Sequence, residues 1–389
     1  MLFKYFKNVN FPNRYISPKK LFLYLEENYS AEIQQIGKST LGKPIYLFSK
    51  GEGNISVLAW SQMHGNESNA TLAMLDLLTS LEKNSVPDFW DKIRLDFIFM
   101  LNPDGSEIWT RRNILEIDIN RDFLKESSIE MKILKKQAFS KKYNYALNLH
   151  EQRTIFSTDF ENPATLSFLS PAEDVNRNLT ENRKKSMAVI AEIYSRLKPE
   201  IPNNIGRYTD TFYPTSSGDN FMKAGIPVVL FEGGHFIDDY KREKTREFYT
   251  KALFFALQAI GNLKGEVSGY ESYFEIPENK ESHYDIIYRN VRLNTDFECV
   301  LDIAVQYKEI KTKASEEIEF VPYVVEVGDI GKKKGWKEID CTGKKFVCDK
   351  KYPKIDAPVE FQIIYLNSIG ILHTGMGFIL CCTALFSLS

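Results

Sequence analysis

Cysteine is scarce and lopsided in this chain: the 389 residues hold five, and none lies before Cys299. An odd set (Cys299, Cys341, Cys348, Cys381, Cys382) absent from the first 298 residues does not make a disulfide framework. No CxxC pair supplies a thiolate zinc site, so any metal must sit on histidines and carboxylates. A surplus of charge is missing as well, with 50 Lys+Arg against 52 Asp+Glu and a formal net charge of -2. That removes the bulk attraction a nucleic-acid binder or polybasic membrane protein would show, and no nucleic-acid partner is expected. The first ten residues carry no apolar run of signal-peptide length and no small-residue cleavage site, which gives a cytoplasmic expectation. Charge is absent altogether from Phe361 to Ser389. The stretch 369–388 is long enough to reach across a bilayer, but its glycines, histidine and scattered Ser/Thr favour an atypical apolar tail over an anchor. Membrane contact is expected only if that tail is an anchor.

What is present is 43% hydrophobic and 26% charged residues, enough for one large core and a smaller domain. Between residues 55 and 263 short apolar runs alternate with helical patterns, the signature of an α/β sheet with helices on its faces. Helices are expected near 67–81, 181–197 and 242–260. Four candidate strands, 57–60, 95–100, 145–149 and 226–231, run into polar residues at their carboxyl ends, where open α/β sheets place ligand sites. From about Gly265 the texture becomes alternating and strand-like, as in 300–307 and 319–325. The expected organisation is a catalytic domain over 1–264, a β-rich domain over 265–366 and the apolar tail over 367–389.

Chemistry gathers at those strand ends. His64-Gly65-Asn66-Glu67 can place an imidazole and a carboxylate on one side of a strand-to-helix turn, although alone it reads equally well as a helix start favouring Glu67. His150 ends another strand, and two histidines with one Glu and an open fourth position are what a catalytic zinc requires. Glu232 ends a β-branched strand just before Gly233-Gly234, placed to take a proton from a zinc-activated water and pass it to a leaving amine. Between them the segments 109–113 and 118–123 supply Arg111, Arg112, Arg121 and Asn120, donors suited to an anionic substrate. His235 reads as structural.

Taken in order, His64-Gly65-Asn66-Glu67, Asn102-Pro103-Asp104-Gly105, Arg111-Arg112-Asn113, Asp118-Ile119-Asn120-Arg121, Leu149-His150 and Phe231-Glu232 resemble the M14 family of zinc carboxypeptidases over roughly 24–263. The resemblance implies a mixed, mostly parallel α/β sheet flanked by helices, here followed by a smaller all-β domain. It also implies one Zn2+ per chain on His64, Glu67 and His150, with Glu232 as general base. Arg111 would polarise the scissile carbonyl, Asn120 and Arg121 would hold the substrate's terminal carboxylate, and Asp118 would orient a zinc histidine. Tyr213 is the candidate for the tyrosine that closes over substrate, with Tyr208 as its alternative. The side-chain pocket would fall near Gly218 and Asp219, where Asp219 would favour basic terminal residues or merely cap the next turn.

The function so implied is a metallocarboxypeptidase that hydrolyses the C-terminal peptide bond of a substrate with a free carboxylate. Two departures qualify it. The span from Glu67 to His150 is shorter than in digestive members, and the motif set overlaps with the aspartoacylase and succinylglutamate desuccinylase group. A zinc-dependent N-acyl amino-acid deacylase is therefore the rival, and a catalytically idle binding module the third reading.

Overall fold

The computed structural model describes residues 3–84, 87–312 and 316–365, so the expected tail over 367–389 lies outside the described residues. Eight strands form one mixed sheet: β1 (Ile33–Lys38), β2 (Pro44–Lys50), β3 (Ile55–Trp60), β4 (Ile93–Phe99), β5 (Tyr145–Glu151), β7 (Leu166–Leu169), β8 (Ile205–Arg207) and β9 (Val228–Gly233). Their spatial order is β1-β2-β4-β3-β5-β9-β7-β8. The pairs β3-β4, β3-β5, β5-β9 and β7-β8 are parallel, and β1-β2, β2-β4 and β7-β9 antiparallel.

Period-two alternation explains how the sheet is covered on both sides. On β3, Val57 and Ala59 face a core shared with α2 (Asn69–Lys83), α5 (Glu181–Leu197) and α7 (Glu243–Leu263). Leu58 and Trp60 face the opposite core, with α4 (Ile129–Ala138) and α6 (Ser217–Lys223). All seven residues of β5 are buried: Tyr145, Leu147 and Leu149 pack in one core and Ala146 in the other, while Asn148, His150 and Glu151 are buried polar groups. Two short elements complete the layer, α1 (Pro18–Asn28) and α3 (Pro103–Glu107). The helix expected over 181–197 is α5, started by the Thr180 hydroxyl, which accepts the Arg183 N–H at 3.3 Å. The helix expected over 67–81 begins at Asn69 instead, because the carboxylate of Glu67 is engaged in the turn before it.

A smaller β region follows. Strands β10 (Lys280–Arg292), β11 (Val300–Lys311), β12 (Ile318–Gly328) and β13 (Lys334–Asp340) lie in the order β12-β11-β10-β13, and β14 (Lys344–Cys348) pairs with β15 (Phe361–Tyr365). The second sheet also takes in β6 (Ile155–Ser157), which leaves the end of β5 and pairs with β10. Ahead of it Tyr273 and Ile276 still pack in the core of the large sheet. Among the described residues no helix is long and apolar enough to cross a membrane.

The amino-terminal segment is locked on by a buried ion pair. Arg246 of α7 donates from Nε to Asp76 of α2 at 2.6 Å and from Nη2 at 2.5 Å, while its Nη1 reaches the Phe11 carbonyl at 2.6 Å. Asp76 also accepts the Tyr5 hydroxyl at 2.8 Å and the Asn8 N–H at 2.7 Å. Breaking one side of such a buried pair leaves an uncompensated charge, which typically costs ~3–5 kcal/mol. Arg246→Ala is accordingly expected to lower the unfolding free energy by about that amount in urea titration; a change below about 1 kcal/mol would contradict this account of the lock.

Candidate metal centre

Three strand ends meet at one point. His64 stands in the turn after β3, and that turn is pressed against the start of α3. A Cβ on Gly65 would lie 2.2 Å from the Gly105 carbonyl carbon and 2.3 Å from the Ser106 nitrogen, so only glycine fits. The Asn102-Pro103-Asp104-Gly105 stretch is the other half of this contact. Asn102 caps α3 by accepting the Gly105 N–H at 2.9 Å and donates to the Met63 carbonyl at 3.4 Å, while Asp104 is anchored by Lys43 at 2.8 Å. His150 and Glu232 lie within strands, on β5 and β9, as direct register partners. Partners in register point to the same face, so pairing itself sets the imidazole beside the carboxylate.

Glu67 joins the histidines. Its Oε1 is 2.8 Å from His64 Nδ1, and its Oε2 is 2.9 Å from His150 Nδ1 and accepts the Glu151 N–H at 3.2 Å. The ligand atoms of His64, Glu67 and His150 all lie within 4.8 Å of one another, and all three residues are buried. Two imidazoles and one carboxylate at this spacing fit a zinc ion that keeps an open position. On the far side of His64, Nε2 lies 3.2 Å from Asp118 Oδ1, a contact that orients the ring and leaves Nδ1 as the atom on the side of Glu67 and His150. Arg111, half exposed, donates from Nε to Asp118 at 3.1 Å and brings Nη1 to 3.1 Å from His64 Nδ1.

The electrostatics follow from burial and pairing. Burial pulls His64 down, but Glu67 and Asp118 more than offset it and its pKa ends above the ordinary histidine value. Glu67 is held well below the carboxylate range by the two histidines in spite of its burial. Asp118 is likewise held low, burial being outweighed by His64 and Arg111. Glu232 goes the other way: burial first, then the Glu67 charge, push it well above the ordinary Glu value. Two carboxylates in one site are thus driven apart in proton affinity.

A cavity of about 280 Å3 opens on this constellation, lined by His64, His150, Arg111, Glu232, Asn120 and Arg121. Asn120 is fixed by Ser217, whose N–H and hydroxyl donate to its Oδ1 at 3.1 and 2.6 Å. The Arg121 guanidinium lies 5.1 Å from the ring centre of Tyr213, which also lines the cavity but is 51% exposed. Tyr208 lines it too and is more deeply set; burial and the charge of Glu232 raise its phenol. Asp219 accepts the Ser216 hydroxyl and the Tyr213 N–H at 3.4 Å, and burial raises its carboxyl. Of the site residues named from the sequence, His64, His150, Arg111, Glu232, Asn120, Arg121, Tyr213, Gly218 and Asp219 line this cavity, and Glu67 and Asp118 touch His64, whereas Arg112 turns its guanidinium away to the Glu116 carbonyl. Missed there was Asn148, two residues before His150 on the same face of β5, fully buried with both amide atoms unpartnered. Its signal was the period-two offset from His150. His235 falls outside, 2.9 Å from the Arg242 guanidinium. A larger cavity of about 610 Å3 in the second β region, between Arg292 and Phe346, holds none of this chemistry.

Comparisons with known proteins bear on the family and the fold. The family model of zinc carboxypeptidase matches residues 24–168. Over 88 residues the chain is 32% identical to murein peptide amidase A of Vibrio campbellii, a match covering 22% of this chain and 33% of that protein; the chain therefore aligns with about a third of that relative's length. Among solved structures it resembles a metallo-carboxypeptidase from Burkholderia cenocepacia, with TM-score 0.51, 13% identity and coverage of 64% of this chain and 70% of that one. Carboxypeptidase A from Helicoverpa armigera gives TM-score 0.51 at 14% identity, covering 64% and 74%. Bovine thrombin-activatable fibrinolysis inhibitor gives 0.50 at 17%, covering 64% and 98%. At these identities the structural likeness shows the fold: a carboxypeptidase-like mixed sheet followed by a smaller β region.

Asp118 has a measurable consequence here. Replacing it by Asn removes the charge that fixes the His64 ring, and such partners are typically worth 10–100-fold in metal affinity. Zinc affinity of Asp118→Asn, measured by competition against a chromogenic chelator, is expected to fall about 10- to 100-fold. An unchanged affinity would mean that His64 is not oriented from this side.

Proposed function

We propose that the protein is a zinc-dependent hydrolase of the carboxypeptidase type, removing the C-terminal residue from a peptide with a free carboxylate. The observation that carries this reading is the juxtaposition, in one cavity, of a His64-Glu67-His150 donor set, the carboxyl of Glu232 with raised proton affinity, and the guanidinium of Arg121. A zinc ion held by the three ligands would supply Lewis acidity and acidify a bound water toward neutrality.

The chain's own residues do the rest. Arg121, with Asn120 beside it, receives the terminal carboxylate through its planar fork and so fixes which peptide bond reaches the site. Arg111 has one edge turned to Asp118 and Nη1 toward the metal ligands, where it donates to the scissile carbonyl oxygen as negative charge develops there. Glu232 accepts the proton of the attacking water and returns it to the leaving amine, a shuttle that needs a carboxyl of raised proton affinity. Tyr213, exposed and stacked over Arg121, stands at the mouth where it can cover the terminal residue.

A second reading, cleavage of an amide bond in a murein-type peptide, is supported by the match to the Vibrio amidase. It uses the same residues and differs in the substrate's acyl portion.

Glu232→Gln keeps the shape of the side chain and removes its basicity. The variant is expected to bind zinc as the wild type does, by inductively coupled plasma spectrometry, and to lose ~100- to 10,000-fold in kcat on its best peptide. Wild-type turnover in that variant would refute the assignment of the base. Loss of an oxyanion-type donor in Arg111→Ala should raise the barrier by ~3 kcal/mol, read as about a hundredfold loss of kcat.

A further inference from the structure

The turn that carries His64 opens on a residue in a backbone conformation that side chains rarely take. Gln62, the second residue past β3, has φ +47° and is fully buried. Left-handed backbone is unfavourable for a residue with a Cβ, and a buried amide is unfavourable unless its polar atoms are paired. The neighbouring parallel strand turns in the same way: Met100, just past β4, has φ +50°. Beyond it the Leu101 and Asn102 N–H groups donate to the carbonyls of Ser61 and Gln62, each at 3.0 Å. The two strand ends leave the sheet together, and this pairing holds Gln62 in its strained conformation.

The side chain of Gln62 is engaged at both of its polar atoms. Nε2 donates to the Gly65 carbonyl and to Ser106 Oγ of α3, both at 3.0 Å, and Oε1 accepts the Thr71 hydroxyl of α2 at 2.6 Å. A carbonyl can only accept, so the nitrogen must face Gly65 and the oxygen Thr71. The hydroxyls agree with that direction. Ser106 gives its proton to the Asn102 carbonyl at 2.8 Å and keeps a lone pair for Nε2, while Ser61 Oγ lies 2.8 Å from Thr71 Oγ1. Ser61, Gln62, Thr71 and Ser106 are all buried, so these bonds exchange little with water.

Gly65 directly follows His64, and Thr71 stands in the first turn of α2, the helix that begins just after Glu67. One amide therefore bridges the peptide on the histidine side of the turn and the helix on the glutamate side. Within the turn the Glu67 N–H donates to the His64 carbonyl at 3.1 Å, and Gln62 braces that closure from behind. Gln62 does not line the cavity of the site, so any effect it has on the chemistry passes through the turn.

We propose that Gln62 is the positioning residue of the metal turn, its amide fixing the separation of the His64 imidazole and the Glu67 carboxylate before an ion binds. The inference rests on the metal-dependent reading above. A turn already held in its binding geometry spends no ordering free energy when the ion arrives, whereas a freed turn must be ordered by the ion itself. A bond that served folding alone would lower stability and leave metal affinity where it was.

The test measures zinc affinity of the full chain by competition against a chromogenic chelator, with urea unfolding of the zinc-free protein alongside. Gln62→Met keeps the length of the stem and removes both polar ends; its zinc affinity is expected to fall about 10- to 100-fold, the range for partners of metal ligands. Thr71→Val removes the hydroxyl that holds Oε1 and should lower the affinity by part of that amount, whereas Thr71→Ser keeps the hydroxyl and should return it to the wild-type value. Arg246→Ala, which weakens the fold from a distance, should leave zinc affinity within about twofold of wild type. An unchanged affinity in Gln62→Met, or a fall that Arg246→Ala reproduces, would overturn the proposal. Should Gln62→Met fail to fold, Thr71→Val against Thr71→Ser decides, and equal affinities in that pair overturn it. A wild type that binds zinc no better than the Gln62 and Thr71 variants refutes the positioning role alone; a wild type that binds no zinc refutes the metal-dependent reading with it.

Discussion

A carboxylate buried as fully as that of Glu67 is unstable unless partners surround it. The partners come from separate parts of the chain: His64 from the turn after β3, His150 and the Glu151 N–H from β5, with Arg111 approaching from the loop between α3 and α4. Satisfying this one side chain therefore fixes the relative placement of two strand ends and a loop. It also sets the proton affinity of the neighbour, since the charge on Glu67, together with burial, is what raises Glu232. The candidate donor set and the raised proton affinity of Glu232 thus both follow from one buried charge.

The second β region is tied into the same electrostatics. Glu309 of β11 is held at a pKa of about 2, its burial outweighed by the guanidinium groups of Arg14, Arg153 and Arg242. Arg14 also pairs with Glu151 at 2.5 Å, and Glu151 directly follows His150. The amino-terminal segment, the strand that carries His150 and the second sheet meet in one network of buried charge. Such a network stabilises weakly per pair, but it is costly to disrupt and so specifies a unique seam.

The candidate donor set was legible as residue types because a metal site needs histidines and carboxylates, and the apolar strand patterns leading into His64, His150 and Glu232 placed them at strand ends. The alternating apolar texture of β11 and β12 was equally plain. Three things were not readable. Asn102-Pro103-Asp104-Gly105 matched a motif, yet its physical purpose, receiving the backbone of Gly65, depends on a contact across about forty residues of sequence. The pairing of β6 with β10 carries a piece of the large sheet's connection into the second sheet, and no local pattern in three residues announces that. The Arg14, Glu309 and Arg153 cluster joins positions spread along most of the described chain; each residue alone looks like a solvated surface charge.

The proposed hydrolysis of a terminal peptide bond by water is tested most directly by incubating zinc-loaded protein with a mixed library of short peptides and N-acyl amino acids in 18O-enriched water and weighing the products. The account predicts a free terminal amino acid without label and a peptide one residue shorter that carries one 18O in its new carboxylate. Release of acyl groups with the peptides intact, or internal cleavage in place of terminal cleavage, would contradict it.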